Sequence, residues 1–445
     1  MGTQVPVGQV REELHLETTV AQWSVARRVA FRFCFVYLGL YCLGTQIFAG
    51  LFLIPIVEIA DPASLWPMRQ ITFWTAAHVF RAKLPLIYKD SGSGDKTFDW
   101  VFCFCLLVIA ALATGIWSAL DRRRENYATL YKWFRLIIRF ALASEMILYG
   151  MDKVIPLQMP FPYLTRLLEP FHDFSPMGVL WSSIGASRGY EIFAGSAEML
   201  GGILLIFPRT ALLGALVSLA DLTQVFMLNM TYDVPVKLFS FHLLLMAVFL
   251  LAPEFERMTD FFFRNRTVGP STQGELFRTR RANRIALAAQ IIFGIWLVGA
   301  NAYIGWDGWH TYGGGRPKSP LYGIWNVAEL SIDGQLRSPL LGDYDRWQRA
   351  VFDFTDSMAF QRMDGSFARY GAAISSNDKT IALTKGSDKS WKANFTFQRV
   401  GENELILDGN MDSHKMHMQL ELVDLNKFLL VSRGFHWIQE NPFNR

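Results

Sequence analysis

Residues 305–320 read GWDGWHTYGGGRPKSP, and this stretch divides the chain. Upstream of it, apolar residues come in runs long enough for membrane helices. Downstream, they alternate with a period of two. Tryptophans followed by a Gly- and Pro-rich segment are expected of an aromatic anchor at a membrane interface and then a linker. The fold class expected is a mainly α membrane bundle of about seven transmembrane helices, joined to a C-terminal all-β antiparallel barrel-like domain.

Upstream, the requirement is about 20 mostly apolar residues per span. The runs 29–57, 98–120, 134–156, 189–207, 211–230, 235–252 and 284–304 meet it. Segment 63–87 is apolar but charged and broken by proline, so it is expected in the interface. Only 18% of the 445 residues are charged, against roughly 25% in soluble domains. The formal charge of +4 gives no nucleic-acid signature. Cys34, Cys42, Cys103 and Cys105 sit in apolar runs with no CxxC and read as packing thiols.

Basic residues set the expected orientation. Arg27, Arg28 and Arg32 precede the first run, DRRR (121–124) follows the second, and Arg209 lies between the fourth and fifth. Arg257, Arg264, Arg266, Arg278, Arg280, Arg281 and Arg284 lie between the sixth and seventh. With these sides cytoplasmic, the chain is a multi-pass inner-membrane protein with a cytoplasmic N-terminus and a periplasmic C-terminal domain. Against this count, loop 58–96 carries Arg81, Lys83 and Lys89 on the outer side. Residues 1–26 are polar, with Glu12, Glu13 and Glu17, and do not read as a signal peptide. The expected organisation is a cytoplasmic segment 1–28, two spans with an interfacial helix in 29–133, and a four-helix unit in 134–252. A basic loop and seventh span (253–304), the linker 305–320 and the barrel 321–445 follow.

Downstream, SHKMHMQLELVD (413–424) puts Met416, Met418, Leu420 and Leu422 on one face. WKANFTFQRV (391–400) alternates likewise, with Trp391, Ala393, Phe395 and Phe397 inward. RAVFDF, TIALT, ELILDG and KFLLVSRG read as further strands, and GSD, GEN, DGN and SND as turns. Such spacing suggests a small up-and-down barrel. His414 and His417 lie three apart on a strand and face opposite ways, so no metal site is expected.

The upstream spans carry ionisable groups, which in a membrane usually face the bundle interior or a water-filled cavity. Glu145, Tyr149 and Asp152 share one helix face, and Glu191, Gly195 and Glu198 repeat that spacing. Asp221 and Gln224 follow, then Asp233, Lys237 and His242 around a proline. A converging cluster is expected, with Lys153 and Lys237 neutralising carboxylates and Gly195, Ala197, Gly201 and Gly202 allowing close approach. Its bland counterpart is a polar network that fixes helix register. The sharper reading is a pocket for a proton-coupled, quinone-like molecule. Lys153, Glu198 and Lys237 then act as catalytic residues, and Glu145, Tyr149, Asp152, Glu191, Asp221, Asp233 and His242 bind or relay protons.

The residues Arg139, Gly150 and Lys153 in RFALASEMILYGMDK, and Glu198, Gly201 and Gly202 in AEMLGGILLIF, resemble the motifs of DoxX-like membrane proteins. The resemblance covers about residues 134–252. It implies a membrane component of a redox system, in which a lysine acts beside a quinone. Membrane lipid and a redox partner protein are the implied partners. Gly323-Ile-Trp325 near the start of the barrel and SRG (432–434) near its end resemble lipocalins. That likeness implies Arg433 stacked over Trp325. The alternatives are a carrier of lipid or small apolar molecules using the barrel, or a scaffold docking a periplasmic partner.

Overall fold

The computed structural model describes residues 22–53, 61–271, 275–386 and 388–444. The chain is helical up to Thr311. The helices are α1 (Val25–Gly44), α2 (Gln46–Leu51), α3 (Met68–His78), α4 (Thr97–Leu120), α5 (Ala128–Val154) and α6 (Leu164–Leu167). They continue with α7 (Pro176–Gly185), α8 (Arg188–Ile206), α9 (Ala211–Thr231), α10 (Lys237–Leu251), α11 (Phe255–Phe262) and α12 (Arg280–Thr311). Among the described residues, five stretches are long and apolar enough to cross a membrane: α4, α8, α9, α10 continued through α11, and α12. This gives the protein the character of a membrane-associated chain.

The other two expected spans, 29–57 and 134–156, correspond to α1 and α5. Both are long enough for a bilayer, at 20 and 27 residues. Their charges set them apart from the five. α1 carries Arg27, Arg28 and Arg32, and α5 carries Lys132, Arg135, Arg139, Glu145, Asp152 and Lys153. Residues 54–57 of the first run, and 1–21 of the expected N-terminal segment, lie outside the described residues. Arg32 is not a flanking charge. It is buried, and its guanidinium donates to Tyr127 Oη (2.7 Å), Ser118 Oγ (2.8 Å) and the Asp121 carbonyl (2.9 Å). The apolar segment expected in the interface forms α3, with Trp66 and Trp74 exposed.

Only residues 312–317 separate α12 from the first strand, so the linker is shorter than its composition suggests. The strands are β1 (Lys318–Ile332), β2 (Gln335–Leu336), β3 (Trp347–Phe354), β4 (Ser357–Arg362) and β5 (Phe367–Ser375). β6 (Thr380–Lys385), β7 (Asp388–Val400), β8 (Glu404–Met411) and β9 (His414–Leu422) complete them. They pair in sequence order, and β9 returns to β1 with Trp325 opposite Leu422 and Ile332 opposite Met416. This closes an antiparallel barrel of eight strands, with β2 a short flap hydrogen-bonded to the end of β1. Closure removes the exposed strand edges that invite aggregation. The β1–β2 turn uses Asp333 and Gly334, both at positive φ (51° and 79°), as a two-residue hairpin requires.

The period-two residues fill the interior. Trp325, Phe352, Phe360, Leu383, Leu405 and Met418 are among its fully buried members, and Trp391 and Phe397 pack against them. Gly323 sits at φ 146°, and a Cβ there would lie 2.6 Å from the Leu422 side chain. Glycine thus lets β1 bend over the closing strand.

Three details depart from the sequence reading. DGN (408–410) is not a turn but part of β8, where a Cβ on Gly409 would meet the Asn394 carbonyl. Glycine serves strand packing there, and the turn falls at Asp412–Ser413, both at positive φ. KFLLVSRG is not a strand but a 3-10 turn (Leu425–Lys427) followed by the short helix α13 (Leu429–Ser432). The barrel is already closed by β9, so this segment has no free edge to join. Arg433 therefore does not cover Trp325. It lies 4.7 Å from the Phe443 ring, whereas the guanidinium of Arg399, on β7, is 5.7 Å from the Trp325 ring.

Candidate functional site

The molecule divides into two compact units. One holds residues 1–145, 201–222 and 235–295, and the other holds 146–200, 223–234 and 296–445. The expected site residues are distributed over both.

In the second unit, α5 and α8 touch through glycine. A Cβ on Gly150 would lie 2.7 Å from the Gly195 carbonyl oxygen, and a Cβ on Gly195 would lie 2.5 Å from that of Gly150. Only glycine permits backbones this close, and the approach sets the reach of the neighbouring side chains. One residue turn further, Lys153 Nζ donates to Glu198 Oε2 at 2.7 Å. The side chains are 9% and 6% exposed, so this is a buried ion pair. The Tyr149 carbonyl accepts a longer bond from the same ammonium, at 3.4 Å. Near the start of α8, the buried Glu191 accepts from the Met159 backbone N–H at 3.1 Å and ties down the loop that leaves α5. Asp152 is half-buried beside Lys153, and Asp233 is exposed at a positive-φ turn.

In the first unit, Glu145 is fully buried, and its Oε2 accepts from Gln46 Nε2 at 3.0 Å. A Cβ on Gly50 would come within 2.8 Å of Oε1, so that glycine makes room for the carboxyl. The buried His242 has Nδ1 at 2.7 Å from the Leu238 carbonyl. A carbonyl only accepts, so Nδ1 carries the proton. In the neutral ring Nε2 then accepts from the Tyr37 hydroxyl, 2.7 Å away. Tyr41 stacks on the imidazole, with ring centroids 3.8 Å apart and planes 6° apart. Lys237 opens α10 and pairs with Asp95 at 3.7 Å. Asp95 also accepts from the backbone N–H groups of Lys237 and Leu238, both at 2.9 Å. This carboxylate caps the helix and offsets the partial positive charge of its N-terminus. Asp221 is half-buried on α9, and Arg139 donates to Gln290 of α12.

Of the single cluster expected from sequence, Lys153 meets Glu198, while Lys237 meets Asp95 and Glu145 meets Gln46; Tyr37, Tyr41, Gln46 and Asp95 were missed. A signal existed for the tyrosines. YLGLY places Tyr37 and Tyr41 four apart, on one face of the first helix. Gln46 is a polar residue within the apolar run 29–57, just past the end of that helix. Asp95 carried no local signal, because a capping carboxylate from a distant loop is chosen by tertiary structure.

Fold and polar stations together define a membrane-associated helical protein with a C-terminal eight-stranded barrel. No family model matches the chain, and no solved structure matches it. A stretch of 113 residues is 33% identical to the uncharacterized protein YwoB of Bacillus subtilis (strain 168), covering 25% of this chain and 71% of that one. The chain belongs to the same family as that protein.

Proposed function

We propose that the protein is a DoxX-like, multi-pass inner-membrane component of a redox system. In this reading it binds a quinone or similar lipid-soluble molecule beside Lys153 and Glu198. The observation that carries the reading is the buried ion pair on glycine-packed helices. Charges inside an apolar helical region are costly and are mostly retained where they do chemistry. An ammonium held by a carboxylate suits a quinone carbonyl: Lys153 donates the hydrogen bond and a proton, and Glu198, once it has taken up a proton from water, returns it to the amine. Electrons come from a redox partner protein. Tyr149, Asp152 and Glu191 flank this pair. Lys237 is proposed as a further catalytic lysine, and Glu145, Asp221, Asp233 and His242 as groups that bind or transfer protons, each within its own unit.

The proposal includes α1 and α5 as spans, giving the seven-helix count. It places the N-terminus in the cytoplasm and the lipocalin-like barrel in the periplasm. The carrier alternative needs a wide apolar cavity in the barrel, and the packed interior around Trp325 and Phe360 weighs against it.

The test is native mass spectrometry of protein extracted gently from its own membrane. A stoichiometric quinone in the wild type, lost in Lys153→Ala when equal amounts of folded protein are compared, is the expected result. A ligand retained in Lys153→Ala, or no quinone in the wild type, overturns the reading.

A further inference from the structure

We propose that residues 429–438 lie in the membrane interface and hold the barrel against the bilayer. The proposal rests on the membrane association of the helices and not on the quinone reading.

The segment LLVSRGFHWI has the chemistry of an interfacial anchor. Phe435, Trp437 and Ile438 are 77%, 89% and 80% exposed, and Leu429 and Leu430 are about half exposed. Arg433 and His436 stand among them, and no acidic residue occurs between Asp424 and Glu440. Large apolar side chains held in water cost free energy, roughly 25 cal/mol for each Å² left uncovered. Trp and Phe beside basic groups match the headgroup boundary, where ring faces meet acyl chains and cations meet phosphate.

Position decides the occupant. The segment leaves the barrel through Val423, Leu425 and Phe428, which pack on a small cluster of Leu164, Ile324, Val351 and Ala359 on the barrel wall. Leu164 opens the short helix α6, at the end of the loop that follows α5. Its backbone N–H donates to Asp353 Oδ1 at 3.3 Å, which pins that loop to β3. The loop joins α5 at Val154. On the same wall, the Arg316 guanidinium lies 3.6 Å from the Phe354 ring, and Tyr163 meets that ring edge-on at 5.3 Å. Arg316 sits in the stretch 312–317 that joins α12 to β1. Fully extended, that tether spans about 20 Å, from roughly 3.3–3.6 Å per residue. The connection from α12, one of the apolar helices, thus meets the barrel on the wall where the C-terminal segment emerges. The surface within its reach is lipid.

The experiment uses the full-length protein in nanodiscs of phosphatidylethanolamine and phosphatidylglycerol, with or without lipid brominated near the headgroup end of its acyl chains. The emission of Trp437 is read as the difference between the wild type and Trp437→Phe. A blue-shifted contribution, quenched severalfold by the brominated lipid, is the expected result. Water-like emission without quenching overturns the proposal. So does a blue shift without quenching, which would bury the indole against protein. Substituting a side chain this exposed leaves the fold intact, and circular dichroism of Trp437→Phe checks that.

Discussion

The helical region and the barrel solve the same burial problem with opposite outsides. In the barrel, Trp325, Phe352 and Phe360 are fully buried, and ion pairs such as Arg337–Asp343 (2.7 Å) lie at the surface. Along the helices, Leu112, Ile116, Phe193, Ile292 and Ile295 face outward, while Lys153, Glu198, Glu145 and His242 are buried. Water outside favours apolar interiors. Hydrocarbon outside removes that preference, so small-residue contact and polar pairing decide how helices meet. The difference teaches that a buried charge carries separate meanings in the two regions. In the barrel Arg346 is buried and spends its guanidinium on the backbone carbonyls of Val327, Arg337 and Trp347, whereas along the helices a buried charge marks a specified side-chain contact, as between Lys153 and Glu198.

The sharpest way to break this comparison is to remove half of the buried pair. Lys153→Ala leaves Glu198 uncompensated and should cost about 3–5 kcal/mol. The double variant Lys153→Met with Glu198→Leu should recover most of that loss while ligand retention stays abolished. Unfolding in detergent titrated with SDS measures both. A single-variant loss below about 1 kcal/mol, as for solvated pairs, would show that the pair is not a specified contact.

The barrel counterpart is Met418→Ala. Met418 is completely buried, and truncation should cost about 2–5 kcal/mol through lost burial and a cavity. Hydrogen exchange should show the loss in β8 and β9 and spare α5 and α8. Equal loss of protection in the helices would mean that the two regions unfold together. Next comes Gly195→Ala. The new Cβ would crowd the Gly150 carbonyl and Lys153 Cβ, for an overpacking cost of about 1–3 kcal/mol. Unlike Met418→Ala, it should also weaken ligand retention by prising Lys153 from Glu198. Retention unchanged at reduced stability would separate helix packing from the site.

Legibility in the sequence followed the same divide. Period-two patterning in 391–400 and 413–424 exposed the barrel strands, because one face of each strand meets a single core. KFLLVSRG was misread as a further strand. Its apolar run describes side chains, but strand pairing needs an edge, and β9 had already used it. In the helices, length and hydropathy located the segments, and small residues such as Gly195 announced a close helix contact without naming its partner. The partners of Lys237 and Glu145 were not legible. Asp95 and Gln46 lie far away in sequence, and nothing local distinguishes them from other loop or helix-end polar residues. A basic residue near a helix end was also ambiguous. Arg32 has the composition of a topology signal, yet its bonds to Tyr127 and Ser118 make it part of the interior.

The smallest effect is expected at the barrel surface, where charges are cheap. His414 Nδ1 lies 2.6 Å from Asp333 Oδ2, beside the β1–β2 turn. The hydrogen bond to Asp333 raises the imidazole above its ordinary value, and the bond from His414 lowers the carboxyl below its own. The raised histidine stabilises the fold fully below about pH 6.5, its unperturbed value, and that contribution fades as pH rises through the folded value. The lowered aspartate stabilises the fold above about pH 4 and loses its effect as pH falls. The pair therefore contributes most between these limits. Both groups are solvated, so the effect should be slight. Thermal melts of the wild type and His414→Gln should differ most near pH 5–6 and converge above neutrality. A gap that persisted or widened at alkaline pH would assign the role of His414 to packing against the turn rather than to its charge.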